Sequence, residues 1–173
     1  MKRLIPALVV LVMAAAARAE VTDRSAAGFE VLEKATIAAP AARVYAAFLT
    51  PGRWWSSDHS WSGDARNLTI DLASGCFCEK LAGGQVRHMR VVYADGKSLI
   101  LEGALGPLSS TGATGHLALR MKETDGKTAV NLVYDVGGYA KGGLAESWAG
   151  PVDGVLGAQL ARLKSYVETG QPD

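Results

Sequence analysis

Apolar residues fall on alternate positions at Phe29, Val31, Ala35 and Ile37, in a stretch that ends at Pro40. This two-residue period predicts a half-buried strand, preceded by a polar lead from Glu20 to Gly28. Pro40 suits the first position of a helix, where its missing N–H costs nothing. Val44, Ala47 and Phe48, flanked by Tyr45 and Leu49, then repeat at helical spacing up to the breaker Pro51-Gly52. Residues 53–67 follow neither period. Trp54, Trp55 and Trp61 lie there among Ser, Asp and Gly, as in a structured loop or a broken helix.

From Leu68 onward the pattern is that of antiparallel sheet. Gly83-Gly84, Asp95-Gly96 and Asp125-Gly126 each separate two strand-like runs, and such pairs tolerate the positive φ of tight hairpins. They divide the segment into six strands, over 67–73, 76–82, 85–93, 97–105, 114–123 and 127–136. Leu117, Leu119 and Met121 mark one face of the fifth, and Val130, Leu132, Tyr134 and Val136 one face of the sixth. A Gly-rich connection over 137–143 leads to a last helix, striped by Leu144, Trp148, Val152, Val155, Leu156, Leu160, Leu163 and Val167. Gly150-Pro151 should kink this helix or start it afresh. The order predicts an α+β, helix-grip fold: a curved antiparallel sheet of about seven strands wrapped around the long C-terminal helix, with a cavity between them.

With 49% hydrophobic and 20% charged residues over 173 positions, the chain has a globular composition. Eighteen basic against seventeen acidic residues leave a formal charge of +1, so no basic field exists to draw it onto nucleic acid. The N-terminus adds a different signal. Lys2 and Arg3 precede an apolar run from Leu4 to Ala17, and Ala17-Arg18-Ala19 forms a small-x-small box, the order of a secretory signal peptide cleaved after Ala19. The run falls short of the roughly 18 apolar residues of a membrane span, so no stable membrane insertion is expected after its removal. Residues 20–173 then form one domain of 154 residues with a net charge of −2, exported to the periplasm or beyond, where thiols tend to oxidise.

Several stretches point in one direction: Ile37-Ala38-Ala39-Pro40 with Arg43-Val44-Tyr45, Trp54-Trp55, Gly75-Cys76-Phe77-Cys78-Glu79, Gly103-Ala104-Leu105-Gly106-Pro107-Leu108, and Val152-Asp153-Gly154-Val155-Leu156 with Gln159-Leu160 and Arg162-Leu163. Together they resemble the SRPBCC superfamily of START and birch-pollen-allergen-like proteins, and within it the branch related to the activator of heat-shock-protein ATPase. The Trp-Trp, Cys-x-Cys-Glu and Val-Asp-Gly-Val-Leu set is similar to a secreted subgroup. The resemblance spans nearly all of the expected mature chain and implies the helix-grip fold more than any activity. Stimulating a cytosolic ATPase would not suit an exported chain. An ATPase activity of its own lacks a phosphate-binding loop, because Met121 stands where the first Gly would precede Gly126-Lys127-Thr128.

Cys76 and Cys78 sit two apart on one predicted strand, so their side chains share a face at about 6.6 Å between Cα atoms if the strand is regular. They could form a disulfide that distorts the strand toward a bulge, pack as small apolar residues, or join His59 and His88 in a zinc or copper site. A two-residue turn at Gly83-Gly84 would pair Cys78 with Met89 and Glu79 with His88, with Arg90 close by. Glu79 beside His88 could transfer protons or form a salt bridge on the outer face; Asp58 with His59 is a second acid-base pair, and His116 is expected in solvent. Trp54, Trp55, Trp61, Phe77, Tyr139 and Trp148 are candidates for the mouth of the cavity.

The leading reading is an exported protein that binds a hydrophobic or amphipathic small molecule between sheet and helix, with no cofactor. An alternative is a cyclase- or hydrolase-like enzyme using Glu79, His88 and His59, and a third is an envelope-stress or protein-interaction module. A carrier requires mainly apolar walls, an enzyme convergent polar groups with shifted pKa values, and an interaction module an exposed apolar patch.

Overall fold

The alternation around Val31 forms the second strand of eight, and the strand ahead of it is the polar lead itself. In this computed structural model, which describes residues 18–173, the elements are β1 (Arg18–Ser25), β2 (Gly28–Ile37), α1 (Ala41–Phe48), β3 (Leu68–Asp71), β4 (Cys76–Leu81), β5 (Gly84–Ala94), β6 (Ser98–Glu102), β7 (Gly112–Thr124), β8 (Lys127–Tyr139) and α2 (Leu144–Thr169). The expected signal segment, residues 1–19, lies outside the described residues as far as position 17. All neighbouring strands are antiparallel, in the order β1-β2-β8-β7-β6-β5-β4-β3.

The architecture is α+β, with the long C-terminal helix packed on one face of the sheet. Four expectations need correction. The lead from Glu20 joins the sheet edge as β1, because backbone hydrogen bonding to β2 needs no apolar alternation; Val21 packs against the core. The Gly-rich stretch begins as strand: Gly137, Gly138 and Tyr139 extend β8 opposite Thr114, Ala113 and Gly112. Gly150-Pro151 does not restart the last helix; α2 runs through it, with the Pro151 ring on an exposed position. Pro40 lies one residue outside α1, at its N-cap.

The core joins the inner face of the sheet to one side of α2. Val31, Ile37, Leu99, Leu101, Leu119, Val130 and Tyr134 meet Leu156, Leu160, Leu163 and Val167 in one buried cluster. Helix α2 rests mainly on β1 and β2. Trp148, Val152 and Val155 from the predicted stripe are only half-buried. They overhang the rest of the sheet, where space for a cavity is left.

Glu33 follows the inward phase of Phe29, Val31 and Ile37, and its side chain is fully buried beneath α2. Neither of its carboxyl oxygens has a partner among the described residues. Burial, then the nearby charge of Asp153 on α2, push its pKa from 4.5 to about 7. The folded chain therefore holds this proton more tightly than the unfolded chain does. That contribution to stability is complete below pH 4.5 and is lost as pH rises through about 7. In urea unfolding series from pH 5 to 8.5, the parent should lose up to roughly 3 kcal/mol through this group. Glu33→Gln should flatten that slope.

Candidate ligand-binding site

The Trp-rich segment is a loop built on three short 3-10 turns, Pro51–Arg53, Ser57–His59 and Ala65–Asn67. Its indoles are used to anchor it: Trp54 Nε1 donates to the Ala47 carbonyl at 2.8 Å and Trp55 Nε1 to the His59 carbonyl at 2.9 Å. From α2, Gln159 Oε1 accepts the Ser56 N–H at 2.8 Å, its Nε2 lies 3.1 Å from His59 Nδ1, and Arg162 Nε donates to the Trp54 carbonyl at 2.9 Å. The far end of the loop is held by the sheet. Glu79 Oε2 accepts the Trp61 N–H at 3.1 Å and Oε1 accepts the Ser62 N–H at 2.5 Å.

Glu79 also meets His88, whose Nε2 stands 2.9 Å from Oε2. The pairing differs from a two-residue turn at Gly83-Gly84. Leu81 lies opposite Gly84, Glu79 opposite Val86, Cys78 opposite Arg87 and Phe77 opposite Met89, so His88 is the extra residue of a β-bulge in β5. A bulge re-aims side chains, and here the consecutive residues His88 and Met89 are both buried. Glu79 and His88 thus touch as diagonal neighbours on the inner face, and the outer-face salt bridge is not formed. Burial raises the Glu79 pKa, but the hydrogen bonds of Ser62, Trp61 and His88 outweigh it and leave a carboxylate below the usual range. At His88 burial wins instead, lowering its pKa below the usual imidazole range despite the opposing pull of Glu79, so its ring is neutral at pH 7. The contact is a hydrogen bond from a neutral imidazole to a carboxylate.

Cys76 and Cys78 are disulfide-bonded, with Cα atoms 5.4 Å apart, and are half-buried on the face opposite Phe77 and Glu79. The metal set Cys76, Cys78, His59 and His88 is therefore not assembled, since strand alternation sends sulfur and imidazole to opposite faces. Among the described residues no cluster of three or more His, Cys, Asp or Glu could hold a metal ion. Asp58 and His59 are both at the rim, but the His59 ring bonds to Gln159 and not to Asp58. His116 is exposed on β7.

Between the Trp loop, the inner sheet face and α2 lies a cavity of about 330 Å³. Trp55, Trp61, Phe77 and Trp148 line it, as do His59 and His88. Two expected members do not. Trp54 is buried in the core between Phe48 and Trp55, with ring centroids 5.7 and 5.5 Å away, and Tyr139 is 72% exposed at the end of β8. Much of the remaining wall comes from residues with no ligand role expected from the sequence, among them Leu105 to Leu108, Tyr134, and Val152 with Val155 on α2. The Tyr134 hydroxyl accepts the Leu105 N–H at 2.9 Å and donates to the Gly103 carbonyl at 3.1 Å, pinning the 105–108 wall. Gly103 is required here: its φ is +151° and a Cβ would stand 2.7 Å from the His88 carbonyl. The signal available in sequence was an apolar Gly/Pro hexapeptide, Gly103 to Leu108, too apolar for an idle turn.

No protein-family model and no curated protein sequence matches the chain. Solved structures do match in fold. A conserved protein of unknown function from Enterococcus faecalis, EF2215, superposes with a TM-score of 0.60 at 14% identity over 89% of this chain and 78% of that one. CalU16 from Micromonospora echinospora gives a TM-score of 0.60 at 14% identity over 92% and 88%. The Aha1 dimer from Colwellia psychrerythraea gives 0.53 at 15% identity over 82% and 97%. The chain is similar to each in its helix-grip fold. Among the described residues, no helix is long and apolar enough to cross a membrane.

The folded pKa values of Glu79 and His88 both lie below their unfolded values, so their stabilisation is present at high pH and is lost on acidification. The contribution of His88 should fall below pH 6.5, as it binds a proton in the unfolded chain, and that of Glu79 below pH 4.5, both opposite in slope to the contribution of Glu33. Glu79→Gln faces two N–H donors with a group that can itself donate. It should cost roughly 1.5–3 kcal/mol at pH 7 and remove the lower step, as read from urea midpoints between pH 8 and 3.5.

Proposed function

We propose that this chain is an exported binding protein that takes a hydrophobic or amphipathic small molecule into the cavity beneath α2. One observation carries the reading: a recess of about 330 Å³ walled by Trp55, Phe77, Leu108, Trp148, Val152 and Val155. That volume lies at the lower end of the roughly 300–1,000 Å³ of small-molecule sites, whose walls are likewise mostly apolar. The polar residues around it favour binding over proton transfer. Glu79 is fully buried, does not line the cavity, and has both oxygens engaged by the Trp loop and His88. A carboxylate so engaged positions its neighbours; it does not reach a substrate.

Export is read from the basic start, the apolar run to Ala17 and the small-x-small box ending at Ala19. The motifs from Ile37 to Leu163 and the fold likeness to the Aha1 dimer support placing the chain in a secreted subgroup of that SRPBCC branch.

N-phenyl-1-naphthylamine, a neutral fluorescent probe, should bind the protein saturably at one site, with emission rising as the probe leaves water. Val155→Trp, at a half-buried cavity position, should fill the recess and weaken binding at least about tenfold while the thermal midpoint stays close to that of the parent. Absence of saturable binding by the parent would refute the reading. N-terminal sequencing of protein recovered from the periplasm or medium should begin at Glu20.

A further inference from the structure

Two imidazoles line the cavity, and their neighbours fix the proton on each. Gln159 Oε1 accepts the Ser56 N–H at 2.8 Å, so the amide must turn its Nε2 toward His59 Nδ1, 3.1 Å away. An amide NH2 only donates. His59 Nδ1 is therefore the acceptor and its proton lies on Nε2, so this ring has only a donor to offer a ligand. His88 is arranged in the opposite sense. Its Nε2 faces a carboxylate that already accepts two backbone N–H groups, so Nε2 donates and Nδ1 is left as an acceptor. Nδ1 is buried and has no partner among the described residues.

Other polar groups of the lining do not take over this role. The Tyr134 hydroxyl is engaged by Leu105 and Gly103, and Asp58 lies exposed at the rim. No Lys or Arg of the described residues contributes to the lining. A carboxylate entering this cavity would find the His59 Nε2–H as a donor but no Lys or Arg of the described residues to offset its lost hydration.

We infer that the cavity selects a neutral, ring-containing molecule bearing a hydroxyl group, whose O–H donates to His88 Nδ1, and that it discriminates against carboxylates of the same size. The aromatic surroundings fit a ring: Phe77 lies 5.2 Å from the His88 ring between centroids and 6.1 Å from Trp55. This inference rests on the reading of the cavity as a ligand site, and the test separates the two.

Four probes of one shape decide it: naphthalene, 2-naphthol, 2-methoxynaphthalene and 2-naphthoate, measured by equilibrium dialysis at pH 7.5 against the full-length folded protein. The expected result is that 2-naphthol binds about tenfold more tightly than 2-methoxynaphthalene, because only the former can satisfy the buried acceptor, and that 2-naphthoate binds most weakly. His88→Phe should bring 2-naphthol and 2-methoxynaphthalene to equal affinity. In the parent, the ¹⁵N resonance of His88 Nδ1 should move on adding 2-naphthol and not on adding naphthalene, a readout that needs no variant. Equal binding of all four probes, or a preference that survives His88→Phe, would overturn the inference and leave the ligand site standing. Binding of none of them would overturn both.

Discussion

A carboxylate removed from water must be satisfied by the protein, and Glu79 meets that demand with groups from two elements that would otherwise be independent. Its oxygens take the Trp61 and Ser62 N–H groups from the loop and the Nε2–H of His88 from β5. The bond to the loop holds the aromatic mouth against the sheet. The bond to His88 sets the tautomer of the imidazole in the cavity wall. Shape and polarity of the recess thus depend on one buried charge, whose hydrogen bonds keep it ionised against the cost of burial.

The other walls follow the same logic with neutral groups. Gln159, buried on α2, ties Ser56 and His59 to the helix, and Tyr134 ties Gly103 and Leu105 to β8. Each is a polar tip on a side chain whose body lies in the core, so the loops are fixed without polar surface being added to the recess. Glu33 is the contrast. Facing Asp153 with both oxygens unpartnered, it is relieved by holding its proton. Two buried glutamates on one sheet face thus shift their proton affinities in opposite directions, because one is supplied with N–H donors and the other with a second carboxyl group.

Much of this was legible along the chain. The alternation at Phe29–Ile37 and at Leu117–Met121, the pairs Asp95-Gly96 and Asp125-Gly126, and the stripe from Leu144 to Val167 are local signals, each read within a few residues of itself. Trp55, Trp61, Phe77 and Trp148 could be placed at the cavity because large aromatic rings in loops and inward strand positions have few other uses. Trp54 and Tyr139 obey the same local rule and lie elsewhere, one in the core and one in solvent. Residue type does not encode which side of a loop faces the recess.

The sequence by itself determined the order of elements, the inward phase of most strands and the amphipathic last helix, because periodicity is a property of neighbours along the chain. The tertiary structure alone decided the register of β4 on β5. A one-residue bulge places His88 beside Met89 on the inner side, where the pattern of a regular hairpin would have set it directly across from Glu79. Tertiary contacts also decided that Gln159, on α2, reaches residue 59, a hundred positions away, and sets its tautomer. Such contacts arise from packing across the sheet and are set by the balance of many distant groups, which leaves no periodic trace in the chain.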